Sequence, residues 1–242
     1  MAEITDLRTF IEALDKAGQL ARIDKIVSLE YELADVAASL ARTGIGAGYF
    51  SQAENSPWPI FCGGVASHKR SAIALGCEES EIVNVMERVL DPANGIPPKV
   101  VKSAHWEANT IFSDDIDTTL LPIPTHSRGD GGPFITGAVT VAKDPISGRG
   151  NLSYNRMLRL DQNTFGFNVN EWRDVGTFWK SRENPDLPFP IALAIGLDPA
   201  IMIAAGVKTP VDELYIAGAI RGHEIEVKPG LTVDIDIPAA AE

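Results

Sequence analysis

The chain has 242 residues, with 33 acidic and 21 basic side chains and a formal net charge of −12. This acidic balance argues against nucleic acid or an anionic membrane as the main partner, because both require clustered lysine and arginine. No apolar run is long enough to span a bilayer, and residues 1–9 carry charges where a signal peptide would be apolar. Two cysteines, Cys62 and Cys77, are too few for a disulfide scaffold, so we expect a reduced, cytoplasmic setting.

The first 98 residues alternate helical and strand-like patterns. Helices are predicted over 5–17, 30–42 and 78–90, and short buried strands over 48–50 and 58–62. In the third helix the apolar spacing favours Val83, Met86 and Leu90 as the buried face. The first part of the chain is thus predicted to combine helices with short strands.

Residues 91–99 (DPANGIPPK) contain three prolines and a glycine, which prevent continuous regular structure. We therefore predict a linker here and two domains, 1–98 and 99–242.

After the linker the pattern is mainly that of strands. Predicted strands cover 135–142, 150–160, 190–195, 201–205 and 224–237. A single helix is predicted over 170–182, with Trp172, Val175 and Trp179 facing inward. Short strands with one helix favour an antiparallel, barrel-like domain, so the fold class is α+β.

The familiar catalytic signatures, such as phosphate-binding glycine loops and zinc motifs, are absent from the sequence. A polar strand segment, Asn151 to Arg156, is the first candidate site. Alternation puts Asn151 and Ser153 on one face and Tyr154 and Arg156 on the other, and a bend would let Asn151 and Arg156 converge on one ligand. A solvated edge strand is the simpler alternative.

A second candidate site consists of three acidic residues, Glu171, Asp212 and Glu213. Together with the amide of Asn151, the carboxylates of Glu171 and Glu213 would suit Mg²⁺ or Mn²⁺, which prefer oxygen ligands. Helix capping is the alternative for each of these acids, and spacing alone does not show that they meet.

Many short motifs follow one another in the order of a known family. They include Gly63 to Gly76, residues 121–124 (LPIP), 130–136 (DGGPFIT), 151–157 (NLSYNRM), 190–199 (PIALAIGLDP), Asp212-Glu213 and residues 238–242. With these motifs the chain resembles the UbiD family of decarboxylases, which use prenylated flavin mononucleotide (prenylated FMN).

The resemblance implies an N-terminal α/β domain followed by a split β-barrel similar to that of flavin reductases. It also implies prenylated FMN whose phosphate is bridged to the protein by Mn²⁺ or Mg²⁺, often with a nearby K⁺. The family's metal ligands are an asparagine, a histidine and a glutamate, of which the first and last match Asn151 and Glu213. The family's arginine, which holds the substrate carboxylate, matches Arg156, while Ser153 and Tyr154 lie on the segment that lines the flavin.

The chain departs from the family pattern at two points. At the position of the histidine it carries Asn170-Glu171-Trp172, so we expect Asn170 and Glu171 near the cofactor and Glu171 as the substitute metal ligand. The two catalytic glutamates of the family lie in an EGPFGE-like segment beyond the position of Glu242, and a C-terminal oligomerisation domain follows. The isolated chain is therefore expected to be inactive, and a homo-oligomer is expected to form through that C-terminal domain.

The leading function is thus reversible decarboxylation of an aromatic or α,β-unsaturated acid with prenylated FMN and a divalent metal. The alternative is a non-catalytic, cofactor-binding subunit of a multi-subunit carboxylase. A flavin reductase-like oxidoreductase is a third hypothesis that depends on the predicted barrel alone.

Overall fold

The structure is a computed structural model that describes residues 3–241; Glu242, the end of the last motif above, lies outside the described residues. Within this range the α-helices are α1 Leu7–Lys16, α2 Glu32–Thr43, α3 His68–Leu75, α4 Ile82–Leu90, α5 Asp174–Lys180, α6 Pro199–Ala204 and α7 Glu213–Arg221. The strands are β1 Leu20–Ile23, β2 Ala47–Phe50, β3 Ile60–Cys62, β4 Lys99–Val100, β5 Phe134–Ile135, β6 Val139–Lys143, β7 Gly150–Tyr154, β8 Met157–Arg159, β9 Phe165–Phe167, β10 Ala192–Ala194, β11 Glu226–Pro229 and β12 Asp236–Pro238.

The strands of residues 3–241 form four small sheets of three strands each. Their orders are β1–β2–β3, β10–β6–β7, β12–β11–β4 and β5–β8–β9. The β10–β6–β7 and β5–β8–β9 sheets are antiparallel, whereas the other two are mixed. The predicted α+β class is confirmed, but none of these sheets closes into a barrel.

The N-terminal helices agree with their sequence patterns. The side chain of Asp6 caps α1 by accepting the Thr9 amide at 2.7 Å, and α2 ends at Gly44 with a positive φ of 68°. The predicted face of α4 is correct only at Met86, which packs against the core. Val89 is buried, whereas Val83 and Leu90 are 66% and 38% exposed. This helix has two apolar faces, and the one that contains Val89 packs against the core.

The predicted strand over 201–205 and the single helix after the linker are also wrong. Residues 199–204 form α6, whose first residue Pro199 follows the capping side chain of Asp198, and α7 follows shortly afterwards. A short, fully apolar run does not distinguish a buried helix from a buried strand. Trp172, expected to face inward, precedes α5 and is 91% exposed, whereas Val175 is buried as predicted.

The largest hydrophobic core joins residues from both sides of the predicted linker. Leu75 and Val89 from the first part pack with Val139, Leu152 and Ile216 from the second. The boundary at residue 98 remains a prediction, since this shared core gives no separation of the two parts. Within residues 3–241 no helix is both long enough and apolar enough to cross a membrane.

A buried ion pair connects the first part of the chain to α6 and α7. The Arg221 guanidinium donates Nε–H to both carboxylate oxygens of Asp198, at 2.8 and 3.0 Å, and Nη1–H to the Ala74 carbonyl at 2.8 Å. Both charged side chains are less than a tenth exposed. The carboxylate also accepts the Ala200 amide as the cap of α6, so one pair fixes three helices.

We predict that Arg221→Ala lowers the free energy of unfolding by about 3–5 kcal/mol, because it leaves the Asp198 carboxylate buried without its counter-charge. The measurement is urea unfolding followed by circular dichroism. Arg22→Ala is the matched control: it removes an ion pair to Asp15 in which both side chains are about half exposed, and it should cost about 1 kcal/mol or less. Equal losses in the two variants would contradict the role assigned to Arg221.

Candidate functional site

The β10–β6–β7 sheet turns one face to the core and the other to a group of polar side chains. Val141 and Leu152 are paired in the register of β6 and β7 and belong to the core. Because side chains alternate along a strand, Asn151 and Ser153 share the opposite face with Thr140, the register partner of Ser153. Asn151 and Thr140 are nevertheless buried, at 3% and 0% exposure.

Glu213, the first residue of α7, brings a buried carboxylate to the edge of β7. Its carboxylate accepts the Leu152 backbone N–H at 2.8 Å and the Asn151 Nδ2–H at 3.1 and 3.3 Å. Since β7 is an edge strand, this contact satisfies an amide that no neighbouring strand reaches. The structure therefore brings together Asn151 and Glu213, which lie 62 positions apart.

The local sequence around both residues permits this approach. The Asp212 side chain caps α7 by accepting the Leu214 amide at 2.8 Å, so capping describes Asp212 and leaves Glu213 free to turn towards β7. A Cβ atom on Gly150 would collide with the Asp212 carboxylate. Glycine before Asn151 thus allows the start of α7 to lie directly against β7.

The electrostatics of the site favour a bound proton or a cation. Burial raises the pKa of Glu213 from 4.5 to about 7, and the nearby charges of Asp212 and Asp174 act in the same direction. The Leu152 amide opposes this rise but does not cancel it. A carboxylate that is costly to ionise in the free protein is well placed to exchange its proton for a metal ion.

A third carboxylate, Asp174, lies at the border of this site. It is the first residue of α5, which lies against β7. Its Oδ2 atom is 3.5 Å from Asn151 Nδ2 and 3.3 Å from Nη2 of Arg149, with which it forms an ion pair. Asp174 was not among the residues expected from the sequence.

Two buried oxygens on the polar face have no hydrogen-bond partner within residues 3–241. They are Oδ1 of Asn151 and Oγ1 of Thr140. A buried polar atom without a partner is costly, and both atoms lie on the same side of adjacent strands. The amide oxygen of Asn151 is therefore available to a ligand while its nitrogen holds Glu213. No group of three or more His, Cys, Asp or Glu residues with metal-binding geometry occurs in the described part of the chain.

The residues expected around Glu171 lie at the surface. The Glu171 carboxylate forms an ion pair with Lys180 and, within the described residues, no hydrogen bond with Asn151 or Glu213. The Asn170 side chain accepts the Trp172 amide at 3.0 Å. The geometry thus leaves Glu171 apart from the Asn151–Glu213 pair, and Asp174 is the acidic residue of this segment that lies beside it.

The continuous strand predicted over 150–160 is interrupted in the structure. Strand β7 ends at Tyr154, β8 begins at Met157, and Arg156 lies between them. Arg156 is exposed and forms no hydrogen bond or ion pair within residues 3–241. Hydrogen bonds thus join Asn151 to Glu213 but not to Arg156, and the convergence of all three residues on one ligand remains a prediction.

Ser153 and Tyr154 diverge, as their alternation requires. The Ser153 hydroxyl accepts the Asn155 side-chain amide at 3.0 Å on the polar face. The Tyr154 hydroxyl donates to the Met202 carbonyl of α6 at 2.9 Å on the other face. Of the two, only Ser153 shares a face with Asn151.

No sequence pattern pointed to Asp174, Arg149 or Thr140 as site residues. An acid in the first turn of a helix is ordinarily explained by the helix dipole, and a threonine within a strand by β propensity. The run of alternating residues in β6 could have indicated that Thr140 shares a face with Asn151, but only once the strand register was known.

Two family models match the sequence over almost its whole length. The Rift-related domain of 3-octaprenyl-4-hydroxybenzoate carboxy-lyase (UbiD) matches residues 99–242, and the N-terminal domain of the same carboxy-lyase matches residues 11–90. The chain belongs to the UbiD family. The resemblance inferred from the sequence motifs is thereby confirmed.

Solved UbiD structures are similar to this chain. An evolved dimeric form of the UbiD-class enzyme HmfF from Pelotomaculum thermopropionicum, in complex with prFMN, is 30% identical over 98% of this chain and 55% of its own, with a TM-score of 0.88. The 3,4-dihydroxybenzoic acid decarboxylase from Klebsiella pneumoniae is 28% identical over 99% of this chain and 53% of its own, with a TM-score of 0.85. The vanillic acid decarboxylase from Sedimentibacter hydroxybenzoicus in closed form is 25% identical over 100% of this chain and 54% of its own, with a TM-score of 0.93. The UbiD chain described here thus spans about half the length of these relatives.

In metal-free buffer, we predict that the unfolding free energy contains a component from Glu213 that falls as pH rises from about 4.5 to about 7. The folded-state pKa of Glu213 is raised, so between these values the folded chain binds more protons than the unfolded chain, and stability is lost as pH increases. This rise in the pKa of Glu213 corresponds to about 3 kcal/mol of unfolding free energy.

The measurement is urea unfolding across this pH range for the wild type and Glu213→Gln, which should lack the component. Glu226→Gln, at an exposed carboxylate, is the control and should retain it. If the wild type and Glu213→Gln show the same pH profile, the assignment is wrong.

Proposed function

We propose that this chain forms the cofactor- and metal-binding part of a UbiD-type carboxy-lyase. The reaction would be reversible, non-oxidative decarboxylation of an aromatic or α,β-unsaturated acid. The observation that carries this proposal is the buried Asn151–Glu213 contact with Oδ1 of Asn151 open to a ligand. Two further facts support it: HmfF is described in complex with prFMN, and other relatives are decarboxylases of aromatic acids.

The donor set at this site fits a hard divalent cation. Asn151 offers an amide oxygen and Glu213 a carboxylate, which are ligands that Mg²⁺ and Mn²⁺ prefer over softer ions. We propose that these two residues hold Mn²⁺ or Mg²⁺ and, through it, the phosphate of prenylated FMN. A K⁺ ion nearby is part of the same proposal.

The residues beyond Asn151 have roles that follow from their positions. Ser153 shares the polar face with Asn151 and would contact the flavin. For Tyr154, on the other face, and for Asn170, a place near the flavin is proposed from the family resemblance alone. The unpaired guanidinium of Arg156 would bind the substrate carboxylate through two parallel hydrogen bonds. When bound, prenylated FMN supplies an acceptor for the electron density that is released as CO₂ departs.

No carboxylate is paired with Arg156 within residues 3–241, and decarboxylation requires an acid to protonate the carbon that loses CO₂. We therefore propose that the 242-residue chain binds cofactor and substrate without turnover. A cofactor-binding subunit of a multi-subunit carboxylase would behave in the same way, and it remains the alternative.

We also propose that the two antiparallel sheets belong to a flavin reductase-like split barrel. The sheets β10–β6–β7 and β5–β8–β9 are linked directly by Asn155 and Arg156, which is the connection that such a barrel needs. A cytoplasmic homo-oligomer is the expected state, supported by two free cysteines and by the evolved dimeric form of HmfF.

Flavin binding tests the proposed function. FMN fluorescence is titrated with the chain in the presence and absence of Mn²⁺, and we expect binding to require the ion. Asn151→Leu and Glu213→Gln should each weaken it by roughly tenfold or more, as for losses of metal-site residues elsewhere, whereas the exposed-site control Glu226→Gln should not.

Binding of FMN that is equally tight without metal, or in both site variants, would contradict the proposal. Addition of substrate acids after loading with prenylated FMN then separates binding from turnover. Turnover by this chain alone would contradict the proposed lack of a proton donor.

A further inference from the structure

Asp174 and Arg149 form an ion pair at the border of the Asn151–Glu213 site. Asp174 Oδ2 lies 3.5 Å from Asn151 Nδ2 and 3.3 Å from Arg149 Nη2. Arg149 also donates to the Pro210 carbonyl at 3.3 Å, and its guanidinium carbon lies 5.2 Å from the centre of the Phe178 ring. Contacts with α5 and with the segment before α7 therefore hold this guanidinium beside β7.

With Asp174 as a second carboxylate, the net charge around a bound cation differs from that of a site with Glu213 alone. A divalent cation held by Glu213 and one neutral ligand keeps about one positive charge, which attracts a phosphate. A second carboxylate would make the ion formally neutral. The guanidinium of Arg149, paired with that second carboxylate, restores the missing positive charge at the same place.

The geometry also leaves Arg149 able to bind an anion. Its side chain is about a quarter exposed, and the ion pair to Asp174 uses one edge of the guanidinium. A planar guanidinium carries five N–H donors and commonly bridges a carboxylate and a phosphate. The Asn151 amide turns Nδ2 towards both Glu213 and Asp174, so a half-turn of this amide would place the unpartnered Oδ1 between the two carboxylates as a third oxygen donor.

We propose that Asp174 and Arg149 act as a pair in this chain. The Asp174 carboxylate is the third oxygen ligand of the divalent cation, and the Arg149 guanidinium binds the phosphate of the flavin nucleotide. This inference rests on the proposed function and assigns the third ligand to Asp174 in place of Glu171, whose carboxylate is exposed and paired with Lys180.

Two equilibrium constants test the pair separately. The first is the Kd for Mn²⁺ alone, from the electron paramagnetic resonance signal of the free ion. The second is the Kd for FMN at saturating Mn²⁺, from quenching of its fluorescence. Asp174→Asn should raise the Kd for Mn²⁺ by about tenfold or more. Arg149→Met should leave that constant unchanged or lower it, because it removes a nearby positive charge, and should raise the Kd for FMN by about tenfold.

Two further variants serve as controls. Glu171→Gln removes the other acid of this segment and should change neither constant. The double variant Asp174→Asn/Arg149→Met removes both charges together, so it avoids an unpaired charge in the folded chain and should lose affinity for both Mn²⁺ and FMN. Arg149→Lys should recover part of the FMN affinity, since it keeps the charge but not the planar donor pair.

The results that overturn the inference differ from those that overturn the function. If Glu171→Gln weakens Mn²⁺ binding and Asp174→Asn does not, the ligand assignment is wrong. If Arg149→Met binds FMN as tightly as the wild type, the phosphate contact is wrong. If the wild type binds neither Mn²⁺ nor FMN, the proposed function fails, and the inference fails with it.

Discussion

The buried carboxylate of Glu213 is the constraint on which the site depends. A carboxylate that is 2% exposed must be compensated by hydrogen-bond donors, and it finds them in the Leu152 amide and the Asn151 side chain at the edge of β7. This contact fixes where α7 begins relative to the strand. It also explains Gly150, because the start of α7 comes so close that a side chain there would meet Asp212.

The same contact links folding to ligand binding. Asn151 uses its nitrogen to hold Glu213, and this leaves its oxygen buried without a partner. The resulting site has an excess of acceptors and a carboxylate whose pKa is raised to about 7. Both features destabilise the free protein, and both would be relieved by a hard cation, which accepts electron pairs from amide and carboxylate oxygens alike. Under the proposed function, stability and cofactor binding would therefore be coupled through one group of atoms.

The sequence was informative where its patterns were local. Helices α1 and α2 followed from a single apolar stripe with clear end signals, whereas the break after Tyr154 lies inside the single strand predicted over 150–160. Helix α6 was missed because a short, wholly buried run has no detectable period. The meeting of Asn151 with Glu213 followed only from the family resemblance. Asp174 was missed because its contact depends on how α5 packs against β7, which spacing along the chain does not determine.

Crystals of the chain grown with Mn²⁺ and FMN would show whether Asn151 and Glu213 hold a metal ion beside the flavin phosphate, with diffraction data collected at the manganese absorption edge. We expect one strong anomalous peak within coordination distance of Asn151 Oδ1 and the Glu213 carboxylate, adjacent to the FMN phosphate. A peak beside Glu171 and Lys180 would contradict it, as would bound FMN with no metal between Asn151 and Glu213.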